Sequence, residues 1–180
     1  MVDEFIEKIQ EYTKSQPTSN LCTPTSKNAI NETEHKLGFS IPNLLKQCYL
    51  RVGNGGFGPG YGVIGLEGGY ASDYGNVVET FQLLKSDQES EGLEWQEGLL
   101  PFCEWGCNIF SCVDCNDPQH PVFTFEDFAV TQQNYTLDRF FELWMSGADI
   151  LSCDGAEVDE VEITNPFTGE KETVSKRRQK

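Results

Sequence analysis

Four cysteines, Cys103, Cys107, Cys112 and Cys115, fall within thirteen residues, and clustered thiolates are the ligands from which structural zinc sites are built. Intervals of three, four and two residues fit that chemistry poorly, since only the last resembles a ligand pair. If residues 107–115 form one strand, Cys112 faces away from Cys107 and Cys115, and those two lie about 26 Å apart at ~3.3 Å per residue. The four thiols therefore read as small buried hydrophobes and stand only as weak metal candidates. A cysteine nucleophile needs a histidine base, and the chain offers only His35 and His120. His35 sits among Glu32, Glu34 and Lys36 on a solvated helix face. Cys115, Asp117 and His120 spell a triad, but residues so close within one turn rarely converge productively. Acids are numerous, yet no apolar context singles one out as a general acid. No catalytic residue and no cofactor is expected, and the chain reads as a non-enzyme.

Seven of the seventeen glycines lie between Gly53 and Gly65, and Gly53-x-Gly55-x-x-Gly58 matches the letters of a dinucleotide-binding fingerprint. That fingerprint needs a strand entering and a helix leaving, so that helix N-terminal amides face the pyrophosphate. Here a helical pattern enters and a strand pattern leaves, which turns the negative helix pole toward the loop. Gly53, Asn54, Gly55, Gly56 and Gly58 are expected to be a structural turn in which backbone passes close to backbone.

The elements around these residues follow from periodicity. Phe5, Ile6, Ile9 and Tyr12 mark a short opening helix, and Ala29, Ile30, Thr33 and Leu37 a second that stops at Gly38. Ser40 is placed as the cap of a third, with Pro42 in its first turn and Leu45, Cys48, Tyr49 and Val52 on its apolar face. Tyr61–Leu66 reads as a strand, Asn76–Leu84 as a helix and Asp87–Gly98 as an acidic surface loop. Strands are expected at Leu99–Cys103, Asn108–Asp114 and Pro121–Phe125, with Asn116-Asp117-Pro118 as a turn. Thr136 can cap a last helix striped by Leu137, Phe140, Phe141 and Trp144, closing at Gly147. Trp144 is core, Trp95 is expected to be partly exposed, and Trp105 could anchor a partner or plug the core. Val158–Ile163 and Glu172–Ser175 suggest a terminal hairpin around residues 165–169. Helices precede strands instead of alternating with them, so the fold class is α+β. Residues 1–175 are read as one domain and 176–180 as a loose basic tail.

The net charge of −16 is unevenly spread: residues 61–150 hold sixteen acids against only Lys85 and Arg139. Such a surface repels phosphate backbones and anionic lipid, which argues against nucleic acid and membrane as partners and suits a basic protein; solubility alone is the other explanation. The acidic start is unlike a secretory signal, no apolar run reaches the ~20 residues of a membrane span, and the seven cysteines are an odd number. A reducing, cytoplasmic setting is expected.

Leu37-Gly38-Phe39-Ser40-Ile41-Pro42 and the run from Tyr49 through Asn54-Gly55-Gly56 to Gly62 resemble the SUKH superfamily. Leu100-Pro101, Trp105-Gly106-Cys107 and the aromatic segment Leu137–Gly147 are similar to its later pieces, so that the resemblance spans about residues 1–150. It implies a single domain with a curved, mostly antiparallel sheet backed by helices, one face of which binds. It also implies an immunity protein that neutralises a cognate polymorphic toxin by stoichiometric occlusion, as most bacterial members do, or else a regulatory scaffold like the fungal ones. The expected partner is a protein toxin with a basic active face. The thiol cluster and the central acidity depart from any uniform family pattern. Asp73, Tyr74, Glu104, Trp105, Asp114 and Asp117 are the candidate partner-binding residues, because they stand at element ends beside the glycine-rich and cysteine-bearing strands. Residues do not set the oligomeric state.

Overall fold

The structure is a computed structural model that describes residues 2–16, 20–151, 158–164 and 171–177, the last two segments by their backbone. Three helices come first: α1 (Val2–Ser15), α2 (Lys27–Leu37) and α3 (Asn43–Arg51). Ile6 and Ile9 of α1, Ile30 and Leu37 of α2, and Leu45, Cys48 and Tyr49 of α3 are buried, which is the apolar spacing the sequence carries. Ser26 Oγ accepts the Ala29 amide at the start of α2, and Gly38, at φ 83°, closes it. The expected cap of α3 is corrected. Pro42, not Ser40, is the N-cap residue and it makes no side-chain cap bond. Glu34 supplies the acceptor instead, taking the Ile41 amide at 2.8 Å and pairing with Lys46 at 3.1 Å.

A five-stranded antiparallel sheet follows, ordered β1 (Gly62–Val63), β2 (Leu99–Gly106), β3 (Ile109–Asp114), β4 (Pro121–Glu126), β5 (Ala129–Thr136). It is not closed, and with the helices it makes one α+β arrangement. The expected strand at Tyr61–Leu66 shrinks to two paired residues: beyond Val63 only the Ile64 amide still reaches β2, at the Phe102 carbonyl, while the Gly65 amide turns to the Tyr70 carbonyl and the Leu66 amide to Asn54 Oδ1. β5 was not expected at all. It is reached by a tight turn at Asp127 and Phe128, both at positive φ, a conformation that Asn-Gly usually advertises. Between β1 and β2 runs α4 (Val77–Ser90), opened by a capping box in which the Asn76 side chain accepts the Val78 and Glu79 amides while the Glu79 carboxylate accepts the Asn76 amide. It extends through Asp87–Ser90, taking four residues from the expected acidic loop. No helix breaker occurs before Gly92, and Gln88 is buried with its Nε2 donating to the Phe128 carbonyl at 3.0 Å.

Trp95 is also corrected: it is 6% exposed, its Nε1 donates to the Leu99 carbonyl at 3.3 Å, and it packs between Phe81 and Phe125. These contacts bring α4 to the sheet face that carries Phe110 and Phe125. The other face receives α5 (Leu137–Ser146), whose Phe140 meets Phe102, Trp105 and Tyr135. Thr136 stands at the N-cap position of α5, with its hydroxyl donating to the Asp138 carboxylate and not accepting a helix amide. β6 (Val158–Thr164) and β7 (Lys171–Arg177) form the terminal hairpin in register Val158↔Arg177. The pairing takes in Lys176 and Arg177, the first residues of the expected tail. The turn expected at 165–169 and the end of the tail lie outside the described residues.

Candidate functional site

The glycine-rich loop is tied by one side chain. Asn54 is 4% exposed, its Oδ1 accepts the Leu66 amide at 2.8 Å, its carbonyl accepts the Tyr70 amide at 2.9 Å and its own amide donates to Thr23. A Cβ on Gly56 would stand 1.8 Å from the Asn20 carbonyl oxygen, and one on Gly55 would stand 2.6 Å from the Gly65 nitrogen. Both residues have positive φ. The space beside these glycines is filled by the protein's own backbone. Tyr49 completes the support from α3, its hydroxyl donating to the buried Ile64 carbonyl at 2.8 Å.

Beyond this knot the chain enters β1 against β2, with Gly62 opposite Glu104. Two aromatic residues lie across the pair. A Cβ on Gly60 would fall 2.9 Å from the Trp105 ring, and one on Gly106 would fall 2.9 Å from the Tyr61 ring, so the Trp105 ring rests on a glycine of the turn before β1 and the Tyr61 ring of that turn rests on a glycine of β2. Tyr61 is 56% exposed. Trp105 is half-buried, its edge against Phe140 and its Nε1 donating to Ser111 Oγ at 2.9 Å. The first side chain was not among the expected site residues. Its signal was the matching aromatic-glycine pairs, Tyr61-Gly62 and Trp105-Gly106.

Four of the six expected partner residues gather at this end of the sheet. Glu104 Oε1 accepts the Asp73 amide at 3.4 Å, and the Tyr74 hydroxyl donates to Asn108 Oδ1 at 2.8 Å while its ring meets Phe110. Burial raises the Glu104 carboxyl above its ordinary range, the Asp73 amide pulls it back, and the Asp73 charge adds a smaller upward push. Tyr70 is likewise pushed up, first by burial and then by Glu104 and Asp73.

Asp114 and Asp117 are not with them. Phe110 faces Glu104 across β2 and β3, and Asp114 lies roughly 13 Å further along at ~3.3 Å per residue. There Asp114 Oδ1 accepts the Asn116 and Asp117 amides, its Oδ2 accepts Gln96 Nε2, and Asp117 Oδ1 accepts the Gln119 amide. These are turn-forming bonds, of the kind short acidic side chains make with nearby amides.

The cysteines separate as well. Cys107 is exposed in the β2–β3 turn, at φ 51° beside Asn108 at φ 62°, so the premise of one strand over residues 107–115 is corrected. Cys103 shares a sheet face with Ser111, Cys112 takes the opposite face, and Cys115 lies past the end of β3. Among the described residues no group of three or more His, Cys, Asp or Glu side chains is placed to hold a metal ion. Burial pushes the Cys103, Cys112 and Cys115 thiols well above their ordinary range, which keeps them protonated at neutral pH. His120 stands in the same turn, its Nδ1 3.3 Å from the Asp114 carbonyl.

The acidity of the middle of the chain is little compensated: from outside it Lys36 reaches Glu67 at 2.7 Å. Lys85 and Arg139, the cations of residues 61–150, are both engaged on their own helices, by Glu89 at 3.8 Å and Glu142 at 2.7 Å. What the Tyr61–Trp105 end offers is two glycine-floored aromatic rings, with the Asp73 carboxylate exposed at the same end and Glu104 buried on the opposite sheet face; aromatic faces of this kind suit cationic side chains of another protein.

Helices followed by an antiparallel meander, joined through an Asn-Gly-Gly knot, define the class of domain. The model of the SMI1 / KNR4 family (SUKH-1) matches residues 24–146, and the chain belongs to that family. No curated protein sequence matches the chain. Among the described residues no helix is long and apolar enough to cross a membrane.

Proposed function

We propose that the protein is a non-enzymatic cytoplasmic binding domain, an immunity protein that occludes a protein toxin with a basic active face. Membership of the SUKH-1 family supports a protein-binding role. The observation that carries the reading is the Tyr61–Trp105 pair, held on glycines at the end of the sheet where Asp73 is exposed, in a stretch whose cations Lys85 and Arg139 are already paired. Exposed ion pairs each contribute only about 0.2–1 kcal/mol, whereas nanomolar affinity requires about −12 kcal/mol. The acids therefore steer and register the partner, and the two aromatics anchor it.

Co-expression with a candidate toxin, to be sought in the adjacent reading frame, tests this. Restored growth, lost again on Trp105→Ala, is the expected result. Failure to restore growth, with a stable complex formed instead with an endogenous protein, replaces it with the scaffold reading.

A further inference from the structure

One row of the sheet runs Gly62, Glu104, Phe110, Phe125, Val130, each residue opposite the next from β1 to β5. Just beyond that row β2 turns into β3 at Cys107-Asn108 and β4 turns into β5 at Asp127-Phe128, so both hairpin tips stand at the end that carries Tyr61 and Trp105. Neighbouring strands lie about 4.8 Å apart, which puts the two tips roughly 10 Å from each other. All four tip residues have positive φ, from 49° to 63°. Two-residue hairpin turns of this kind favour Asn-Gly, and a bulky side chain there is costly. Phe128, at φ 63°, is the least suited of the four.

The fold holds this turn at further expense. Gln88 is 5% exposed, its Nε2 donates to the Phe128 carbonyl at 3.0 Å, and its buried Oε1 has no partner among the described residues, which is itself destabilising. What the turn displays is a Phe128 side chain 37% exposed, with an exposed Asp127 beside it and an exposed Asp73 at the same end of the sheet. Among the described residues Asp127 has no ion-pair partner. An aromatic ring next to an unpaired carboxylate suits an arginine, whose guanidinium can stack on the one and pair with the other. A stable interface covers about 800 Å² on each side, more than Tyr61 and Trp105 alone can offer. We infer that the Asp127-Phe128 tip is a further contact of the partner-binding surface and takes an arginine of the basic partner protein, an inference that rests on the partner-binding reading above.

The probe is the peptide amide Arg-Gly-Arg-Gly-Arg, titrated into the isotope-labelled full chain, with Lys-Gly-Lys-Gly-Lys as a control of equal charge. The expected result is shifted resonances at residues 126–129 and at Tyr61 and Trp105, with the lysine peptide binding about two- to fivefold more weakly. Glycine suits the positive φ, so relief of strain in Phe128→Gly offsets the lost contacts of the ring, and this variant should melt within a few degrees of the natural chain. It should weaken the arginine peptide about two- to fivefold. Phe128→Asn, also at ease in this conformation, should do the same. Equal binding by both variants and the natural chain, or shifts spread evenly over the acidic surface, overturns the inference. A fall in Tm of about ten degrees or more in both variants makes Phe128 a structural residue and overturns it too. So does a concentration-dependent dimer, detected by sedimentation without peptide and abolished by Phe128→Gly, which assigns the tip to a second copy. Shifts at Tyr61 and Trp105 with none at 126–129 remove the tip alone. Silence at both places at millimolar peptide counts against the partner-binding reading as well.

Discussion

At one end of the sheet the Asp73 carboxylate is exposed and two rings sit on glycine, and at the other Asp114 and Asp117 are occupied by the amides of their own turn. The residue types are the same, and the work differs. What decides it is the supply of nearby backbone donors. Residues 114–120 form a turn whose amides need acceptors, so Asp114 gives up both oxygens, one to two amides and one to Gln96. At the Trp105 end Glu104 is buried and takes the Asp73 amide, and only the Asp73 carboxylate is left exposed. An acid at an element end is thus available to a partner only when the local main chain does not claim it.

Breaking the glycine floor tests the first half of that contrast most severely. Gly56→Ala places a methyl group against the Asn20 carbonyl at a positive φ, and should cost more than about 4 kcal/mol in chemical denaturation. Trp105→Ala should weaken toxin binding by about 2 kcal/mol, near thirtyfold in Kd and carried by faster dissociation in surface plasmon resonance. Asp114→Ala, at the other end, leaves the Asn116 and Asp117 amides without an acceptor. It should lower stability by about 1–2 kcal/mol while leaving the dissociation rate unchanged. A reversal of these two effects would erase the distinction between the ends.

The smallest effect concerns Glu104. Its native carboxyl titrates above the unfolded one, so its contribution to stability is fully present below the unfolded pKa and is lost as pH rises through the native value. Glu104→Gln should therefore raise Tm slightly at neutral pH, and thermal melts at acid pH should show the gain disappear.

Helices α1, α2, α3 and α5 were legible because each combines an apolar face with a stop such as Gly38 or Gly147. β5 was not, for two reasons. Gln132, Gln133 and Asn134 interrupt any apolar alternation, and the Asp127-Phe128 turn uses positive φ without the glycine that normally reveals it. The β2–β3 turn was legible, falling between the strands expected at Leu99–Cys103 and Asn108–Asp114, but the positive φ of Cys107 and Asn108 was not. Of the site, Trp105, Glu104, Asp73 and Tyr74 could be gathered from their positions next to glycine-rich strands. Tyr61 could not, because its significance lies in a cross-strand relation to Gly106 that only the register of β1 on β2 creates.

The seating of Tyr61 and Trp105 on Gly60 and Gly106 has a consequence for retargeting. The contour of that surface is set by main chain, and the Tyr61 ring, more than half exposed, adds little to the interior. On the proposed reading, exchanging it for another residue would alter what the domain recognises and leave its scaffold standing, which would put a new specificity within reach of very few substitutions.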